Sequence, residues 1–364
     1  MHDDTTSRRS VLKAGAAVAS LATVGSLSGC SSIPFVGGGG GSANADQRID
    51  KVPAGSTFVL HVSVSAMLTD STVQERVNGL IDEQATQSTG PQNITAALDQ
   101  VEAESGLDPR DVTEMLAFGD AEGSTAGTIL WTEWEESAVT SAMSDTEYSE
   151  ESYGDKTVYV PSSSFGGGTW AALLEEGTYA FGTEQSVKSI IDTWTGSADA
   201  ASGDVETAYT SAQGGYVQFG FAVPEQQLPE GGSGGSGGMN AQALNNLQYG
   251  YGSVTDGDNG REMVVNLEAE NNDAASGIKG IIDIGLGSFE QQLQQTAQAP
   301  GADTESLQEF QTALENVETS VDGSTVTITN SDGITFALGA LAVAFTFALG
   351  FGGTAVGGTS VTSP

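Results

Sequence analysis

The spacing of apolar residues divides most of the chain into strands and helices. In residues 58–64, Phe58, Leu60, Val62 and Val64 fall on one face, and this period of two indicates a strand with one buried side. Similar alternation, or a short run of β-branched and aromatic residues, predicts further strands. These cover residues 127–133, 157–160, 169–174, 178–181, 216–223, 247–254, 262–267 and 326–329.

Helices are predicted where apolar residues recur every three or four positions. After Thr183, the residues Val187, Ile190, Ile191 and Trp194 would form one apolar stripe behind a threonine cap. Other helices are predicted from Ser71 onward, over residues 93–105, after Pro109 with Val112, Met115 and Leu116 facing inward, and over residues 135–143, 272–297 and 305–319.

This order of elements occurs twice, over residues 52–200 and again over residues 201–331. Each part contains a strand, helices, a run of strands joined by short turns, and a closing helix. Short turns favour antiparallel pairing, and helices that are segregated from the strands are typical of the α+β class. We therefore expect two similar α+β units, each with an antiparallel sheet and helices packed on one face.

The first 29 residues look like an export signal and not like part of the fold. The sequence Ser-Arg-Arg-Ser-Val-Leu-Lys, which contains Arg8 and Arg9, precedes an apolar run over residues 14–27. The run ends in Leu-Ser-Gly and then Cys30, a small-residue cleavage site before a cysteine. Residues 30–51 consist of Cys30 and a glycine-rich tether.

This leader resembles the twin-arginine (Tat) signal peptides of lipoproteins, particularly those of halophilic archaea. Val11 stands where the family pattern has an aromatic residue, and the segment before Cys30 resembles a lipobox. The resemblance implies export by the Tat translocase through Arg8 and Arg9. It also implies lipidation of Cys30, which would become the mature N-terminus. The remaining chain resembles the uncharacterised secreted proteins of haloarchaea, whose functions are unknown.

A second membrane anchor is predicted in the uncharged tail, residues 332–364. No charged residue follows Asp332, and residues 334–351 are almost wholly apolar. As a helix this segment would span roughly 27 Å at 1.5 Å per residue, close to the hydrocarbon thickness of a bilayer. Large and small residues also alternate there, as in a strand buried on one side. The length favours a transmembrane helix, and both interpretations stay open.

The composition restricts the partners of the chain. The formal net charge is −37 at pH 7, so nucleic acid and anionic lipid surfaces are not expected partners. The carboxylates are scattered and not clustered, which favours the solvated surface of a halophilic protein over a dense cation site. Concentrated salt would screen their repulsion, because the Debye length is about 3 Å at 1 M. We expect the protein to lose structure in dilute buffer.

No catalytic, cofactor-binding or metal-binding residues are predicted. Cys30 is the single cysteine, and His61 is the single histidine outside the leader. Residues 256–262 resemble the opening of a calcium loop, but the glycine spacing is wrong and a hairpin turn at Asn259-Gly260 accounts for them better. Asn93 begins the single N-glycosylation sequon.

Aromatic residues were weighed as a sugar-binding surface, although core packing is the simpler role for most of them. The residues concerned are Trp131, Trp134, Trp170, Trp194, Tyr249 and Tyr251.

Taken together, these patterns predict a lipoprotein on the outer face of the cytoplasmic membrane with an extracellular ectodomain. Its membrane contacts would be the lipid on Cys30 and residues 334–351. The first hypothesis is a binding or envelope protein without catalytic activity. The second is a solute-binding protein with a cleft between the two units. The third, with less support, is a carboxylate-dependent hydrolase.

Overall fold

The structure, a computed structural model, describes residues 48–85, 91–120, 126–144, 148–161, 169–223, 246–257, 260–297, 312 and 314–331. The helices α1 to α7 are Val64–Thr69, Ser71–Ala85, Ile94–Ser105, Glu136–Ser144, Glu184–Trp194, Asp204–Ser211 and Asn272–Ala297. The strands β1 to β12 are Phe58–Val62, Val112–Gly119, Gly127–Thr132, Tyr148–Tyr153, Lys156–Pro161, Trp170–Glu175, Thr178–Gly182, Val217–Ala222, Leu247–Gly257, Gly260–Ala269, Val317–Asp322 and Thr325–Asn330. Two 3-10 turns are Ile49–Lys51 and Pro109–Asp111. The expected α+β class is confirmed.

The chain divides into two compact units. The first comprises residues 64–199, and the second comprises residues 48–63 together with 200–331, as far as these are described. Strand β1, which the sequence analysis grouped with the first unit, pairs antiparallel with β8 from Phe58↔Phe221 to Val62↔Val217. Sequence spacing does not reveal this pairing, because the two strands are far apart in the chain.

In the first unit the strands are antiparallel in the order β2-β3-β7-β6-β5-β4. Helix α5 covers one face, where a Cβ on Gly127 would lie 3.1 Å from Ile190. Trp134, just before α4, packs against Tyr179 with ring centroids 6.4 Å apart. Because side chains alternate along β3 and β7, Tyr179 and Gly127 face opposite sides of the sheet. Trp134 and α5 therefore lie on opposite faces of this sheet.

In the second unit the antiparallel order is β11-β12-β10-β9-β8-β1. Helix α7 packs on the face that carries the buried side chains Val265 and Val326, and its own Ile278 is fully buried. The Thr319 hydroxyl of β11 donates to Asp283 of this helix at 2.7 Å. The shorter helix α6 lies on the other face, over β8 and β9.

Helix ends follow the expected capping chemistry. The Asn93 side chain accepts a hydrogen bond from the Ala96 amide, and α3 stops at Gly106 in the left-handed conformation. The Thr183 hydroxyl accepts from the Ser186 amide at the start of α5. At α2 the N-cap is Asp70, whose carboxylate accepts from the amides of Thr72 and Val73. The helix itself begins at Ser71.

One predicted helix is wrong, and another ends earlier than expected. The helix expected after Pro109 is a short 3-10 turn followed by strand β2, Val112–Gly119. This strand is buried on both faces over most of its length, so its apolar run also fits helical spacing. In the helix expected over residues 305–319, the described residues 312, 314 and 315 are helical, but the end is a strand, because Val317–Asp322 pairs with β12. Residues 305–311 lie outside the described residues.

Candidate ligand-binding pocket

The residues predicted to direct export and anchoring lie outside the described part of the chain. These are Arg8, Arg9, Cys30 and the tail over residues 332–364. Within the described ranges, no helix combines the length and the apolar character needed to cross a bilayer. The transmembrane helix over residues 334–351 thus stays a prediction.

Asn93 is exposed and forms the N-cap of α3. Its Oδ1 atom accepts from the Ala96 amide at 2.8 Å. The glycosylation predicted for this residue stays a prediction.

Contacts within the fold account for both His61 and the hairpin at residues 256–262. His61 is 4% exposed in β1 and lies opposite Gln218 of β8. Asp256 is paired in register with Arg261, as the hairpin interpretation requires, and the two side chains form an ion pair. Asp258 and Asn259 themselves lie outside the described residues.

Three carboxylates of the first unit converge on Arg110. Its guanidinium contacts Asp99 at 2.8 Å, Glu102 at 2.6 Å and Asp108 at 2.7 Å, which ties α3 to the 3-10 turn. Burial alone would raise the pKa of the Asp108 carboxyl, but its hydrogen bonds from Arg110 outweigh this and lower it. This cluster is a clamp between two elements. Across the described ranges, no group of three or more His, Cys, Asp or Glu residues is placed to hold a metal ion.

A cavity of about 270 Å³ lies beside this clamp, between α1, α2 and α3. Leu68, Ile94 and Leu98 supply much of its wall. Its polar groups are engaged within the protein: Gln74 Nε2 donates to the Leu68 carbonyl at 2.6 Å, and Arg110 is held by the three carboxylates. These contacts leave the cavity with little means of recognising a polar ligand.

The tryptophans weighed as a sugar site do not form one surface. Trp134 is 5% exposed and donates its indole N–H to the Asp108 carbonyl at 2.7 Å, so it belongs to the core. Trp131 packs against Trp194 with centroids 6.4 Å apart. Trp170 lies instead beside Lys188, whose Nζ atom is 5.4 Å from the Trp170 ring centroid.

The two tyrosines do meet, on the α6 side of the second sheet. Tyr249 and Tyr251 point to the same face of β9, and their rings stack at 6.3 Å with an interplanar angle of 29°. Across the ladder Tyr251 lies opposite Asn266, and Tyr249 lies opposite Glu268. The next strand adds hydroxyls: Thr327 donates to Asn266 at 2.9 Å, and Thr325 donates to Glu268 at 2.7 Å. This face is therefore an ordered array of rings, amides, hydroxyls and carboxylates.

A pocket of about 130 Å³ lies where this array meets the end of α6, and we call it the tyrosine pocket. Its walls include Ser211, Gln213, Tyr251, Ser253, Val264 and Asn266. Tyr251 and Asn266 are half-buried, whereas Gln213 is exposed at the rim. The pocket lies wholly within the second unit.

Two buried positions of β8 hold α6 in place as the wall of the pocket. At Gly220 a Cβ would lie 2.4 Å from the Tyr209 amide nitrogen, so only glycine permits this close approach of helix and strand. The Gln218 side-chain amide donates to the Tyr209 carbonyl at 2.7 Å and to the Ala212 carbonyl at 3.4 Å. Tyr209 lies in the last turn of the helix, where its carbonyl also accepts from the Ala212 amide, and Ala212 is the C-cap. The Gln218 side chain thus adds hydrogen bonds at the end of the helix, where backbone carbonyls lack helical partners.

The electrostatics around the tyrosines are one-sided. Burial raises the pKa of the Tyr249 hydroxyl, and the nearby carboxylates of Glu268 and Asp204 raise it further. The pKa of Tyr251 is raised by burial and then by Glu268 and Tyr249. Both rings thus lie in a partly desolvated and electronegative environment.

Sequence reasoning named Tyr249 and Tyr251 but missed their setting. It also missed α6, which forms the wall, and the roles of Ser253, Asn266 and Gln218. One signal was present: in β10, Met263, Val265 and Leu267 alternate with Glu262, Val264, Asn266 and Glu268, so one face of this strand is polar. The residues that lie across from this polar face are determined by long-range strand pairing.

Comparisons with known proteins give distant structural likenesses. No protein family and no curated protein matches the sequence. Three solved structures resemble the chain, crystal forms III, I and IV of TP0453, with TM-scores of 0.42, 0.38 and 0.39. The sequence identities are 11%, 12% and 12%; the matches cover 80%, 80% and 84% of this chain and 98%, 96% and 100% of those chains. At these values the likenesses carry no inference about what the chain binds or does.

Proposed function

We propose that the chain is a lipid-anchored binding protein on the outer face of the cytoplasmic membrane, and that its ligand occupies the tyrosine pocket. The anchoring half of the proposal rests on the twin-arginine segment at Arg8 and Arg9 and on Cys30 after Leu-Ser-Gly. One lipid chain binds a membrane only marginally, which favours a second anchor in residues 334–351.

The observation that carries the binding half is the composition of the pocket walls. A concave site with an aromatic side chain and a few convergent polar groups is the usual form of a small-molecule site. Here Tyr251 supplies the ring, Asn266 and Ser253 supply polar groups, and the end of α6 encloses them. At about 130 Å³ the pocket is smaller than the roughly 300–1,000 Å³ of sites for drug-sized ligands, so it suits a small solute or one group of a larger molecule.

Blocking the pocket tests its role in binding. Gln213 is exposed and lines the rim, so Gln213→Trp can fill the space without altering the core. Small molecules released by denaturation from the protein, purified in native salt, would be identified by mass spectrometry. We expect a compound that co-purifies with the wild type and with Gln213→Ala but is lost from Gln213→Trp. A compound retained equally by all three proteins would place binding elsewhere.

Membrane fractionation tests the anchor. We would compare the wild type with Cys30→Ser, with a truncation after Asp332, and with the two changes combined. If both anchors exist, only the combined change releases the protein into the soluble fraction. Release by Cys30→Ser alone would limit the anchor to the lipid, and retention of the combined variant would contradict the proposal.

A further inference from the structure

We propose that the tyrosine pocket binds an organic cation, a substituted ammonium group, through the ring of Tyr251 and the carboxylates beside the tyrosine pair. This inference rests on the proposed function and names the class of ligand that the pocket takes. Tyrosine faces attract cations through the negative face of the ring, and this attraction is the usual basis for recognising quaternary ammonium groups.

Charge complementarity is the first argument. Glu268 lies opposite Tyr249 across the ladder, and Asp204 begins the helix that forms the wall. The Glu268 carboxylate is held on this strand pair by the Thr325 hydroxyl, which donates to its Oε1 atom at 2.7 Å. The described residues that line the pocket carry no charge of either sign, and Glu268 lies two residues beyond the lining residue Asn266 on the same face of β10. An anionic ligand would be repelled, and a neutral one would leave this field uncompensated.

In the first unit, two aromatic rings and a carboxylate surround a cation that the chain itself supplies. The ammonium group of Lys188 lies 5.5 Å from the centroid of Tyr153 and 5.4 Å from that of Trp170. A carboxylate completes this site, because Lys188 Nζ is 2.5 Å from Glu184. Two aromatic rings with an adjacent carboxylate therefore surround an ammonium group here. Elsewhere in the second unit the chain also supplies a cation, because Arg261 lies 4.6 Å from the Tyr216 ring centroid and pairs with Asp256. At the tyrosine pocket the rings and carboxylates are present, and a ligand would provide the cation.

A buried acceptor lies in the strand next to the pocket. Gln218 is 1% exposed and lies directly across the strand pair from Ser253, which lines the pocket. Its side-chain nitrogen is used twice, but among the described residues its Oε1 atom has no hydrogen-bond partner. Leaving a buried acceptor unpaired is costly, so a donor from a ligand or a bound water is expected there.

Calorimetry with matched probes tests the inference. Choline chloride and its uncharged isostere 3,3-dimethylbutan-1-ol would be titrated into the full lipidated chain, in native salt and in a detergent without ammonium groups. We expect saturable binding of choline at one site and at least tenfold weaker binding of the isostere. Tyr251→Phe keeps the ring and should retain binding, whereas Tyr251→Leu should weaken it about three- to tenfold. Glu268→Gln removes the negative charge, so it should weaken the binding of choline but not the binding of the isostere.

Each other outcome has a defined meaning. Equal binding of choline and the isostere, or saturable binding of a neutral sugar in place of choline, would overturn the cation inference and leave the pocket as a binding site. Choline binding that does not saturate and is unchanged in Tyr251→Leu would mean attraction to the acidic surface alone. That result would also overturn the cation inference. If neither probe binds and nothing that co-purifies depends on Gln213→Trp, the proposed function fails as well.

Discussion

Two sites, one in each unit, use the same kinds of side chain in opposite ways. In the first, Lys188 lies between Tyr153 and Trp170, so the rings and carboxylates around it are neutralised within the fold. In the second, Tyr249 and Tyr251 lie beside Glu268 and Asp204, and the described lining of the pocket contains no cation. A chain with 11 lysines and arginines against 48 aspartates and glutamates has few cations to place. Where it places none beside aromatic rings, a site for an external cation results.

The largest effect should come from Gly220, which allows α6 to form the wall of the pocket. In Gly220→Ala the new Cβ would lie 2.4 Å from the Tyr209 nitrogen and 2.7 Å from its Cα. Backbone cannot yield as a flexible side chain can, so we expect the free energy of unfolding to fall by about 3 kcal/mol, with loss of choline binding. Chemical denaturation and calorimetry would measure both.

The matched control for this change is Gly285→Ala in α7. A Cβ there meets nothing within 4 Å, and the residue is exposed. Alanine is the better helix former by roughly 0.5–1 kcal/mol, so this variant should be slightly more stable than the wild type. Similar stability of the two variants would contradict the close packing of α6 on β8.

The second effect breaks the comparison between the units directly. Lys188→Ala removes the ammonium group and its alkyl chain, and leaves Tyr153, Trp170 and Glu184 with an unoccupied position between them. We expect the first unit to gain a choline site, so that calorimetry reports two sites per chain where the wild type has one. This outcome would show that occupancy by Lys188, and not the identity of the rings, distinguishes the two regions.

Lys279→Ala provides the control for the Lys188 variant. Lys279 pairs with Asp283 four residues later on α7, at 2.6 Å, and this contact is an ordinary helical ion pair. The variant removes the same charge without opening a ring-lined site. If it gains a second choline site as well, added net negative charge explains both results, and the comparison between the units fails.

Local signals predicted the elements better than the site. The caps at Asn93, Gly106 and Thr183 and the alternation along β10 can be read from neighbouring residues, and the elements they mark are present. Strand β2 was mistaken for a helix because it is buried on both faces, so its apolar residues fit either period. The pocket depends on the register of β9 with β10 and on the place of α6 over Gly220, which local spacing does not encode.

The smallest effect is a difference in sensitivity to acid between the units. Hydrogen bonds from Lys279 and Thr319 lower the pKa of Asp283 in the second unit. A carboxyl whose folded pKa is lowered stabilises the fold above its unfolded pKa, and that contribution is lost as the pH falls through the folded value. Because Asp283 is 45% exposed, the contribution should be only about 0.5 kcal/mol.

In the first unit, two carboxyls have opposite effects on the stability of the fold as the pH falls. Despite its burial, Asp108 has a pKa lowered by Arg110, whereas burial and the charges of Asp108 and Glu133 raise the pKa of Asp111. Protonating Asp111 favours folding and protonating Asp108 opposes it, so their effects partly cancel. Hydrogen exchange followed by mass spectrometry from pH 6 downward should therefore show α7 and β11 losing protection before α3. The Asp283→Asn variant should remove this order, and an unchanged order in that variant would place the acid sensitivity in other groups.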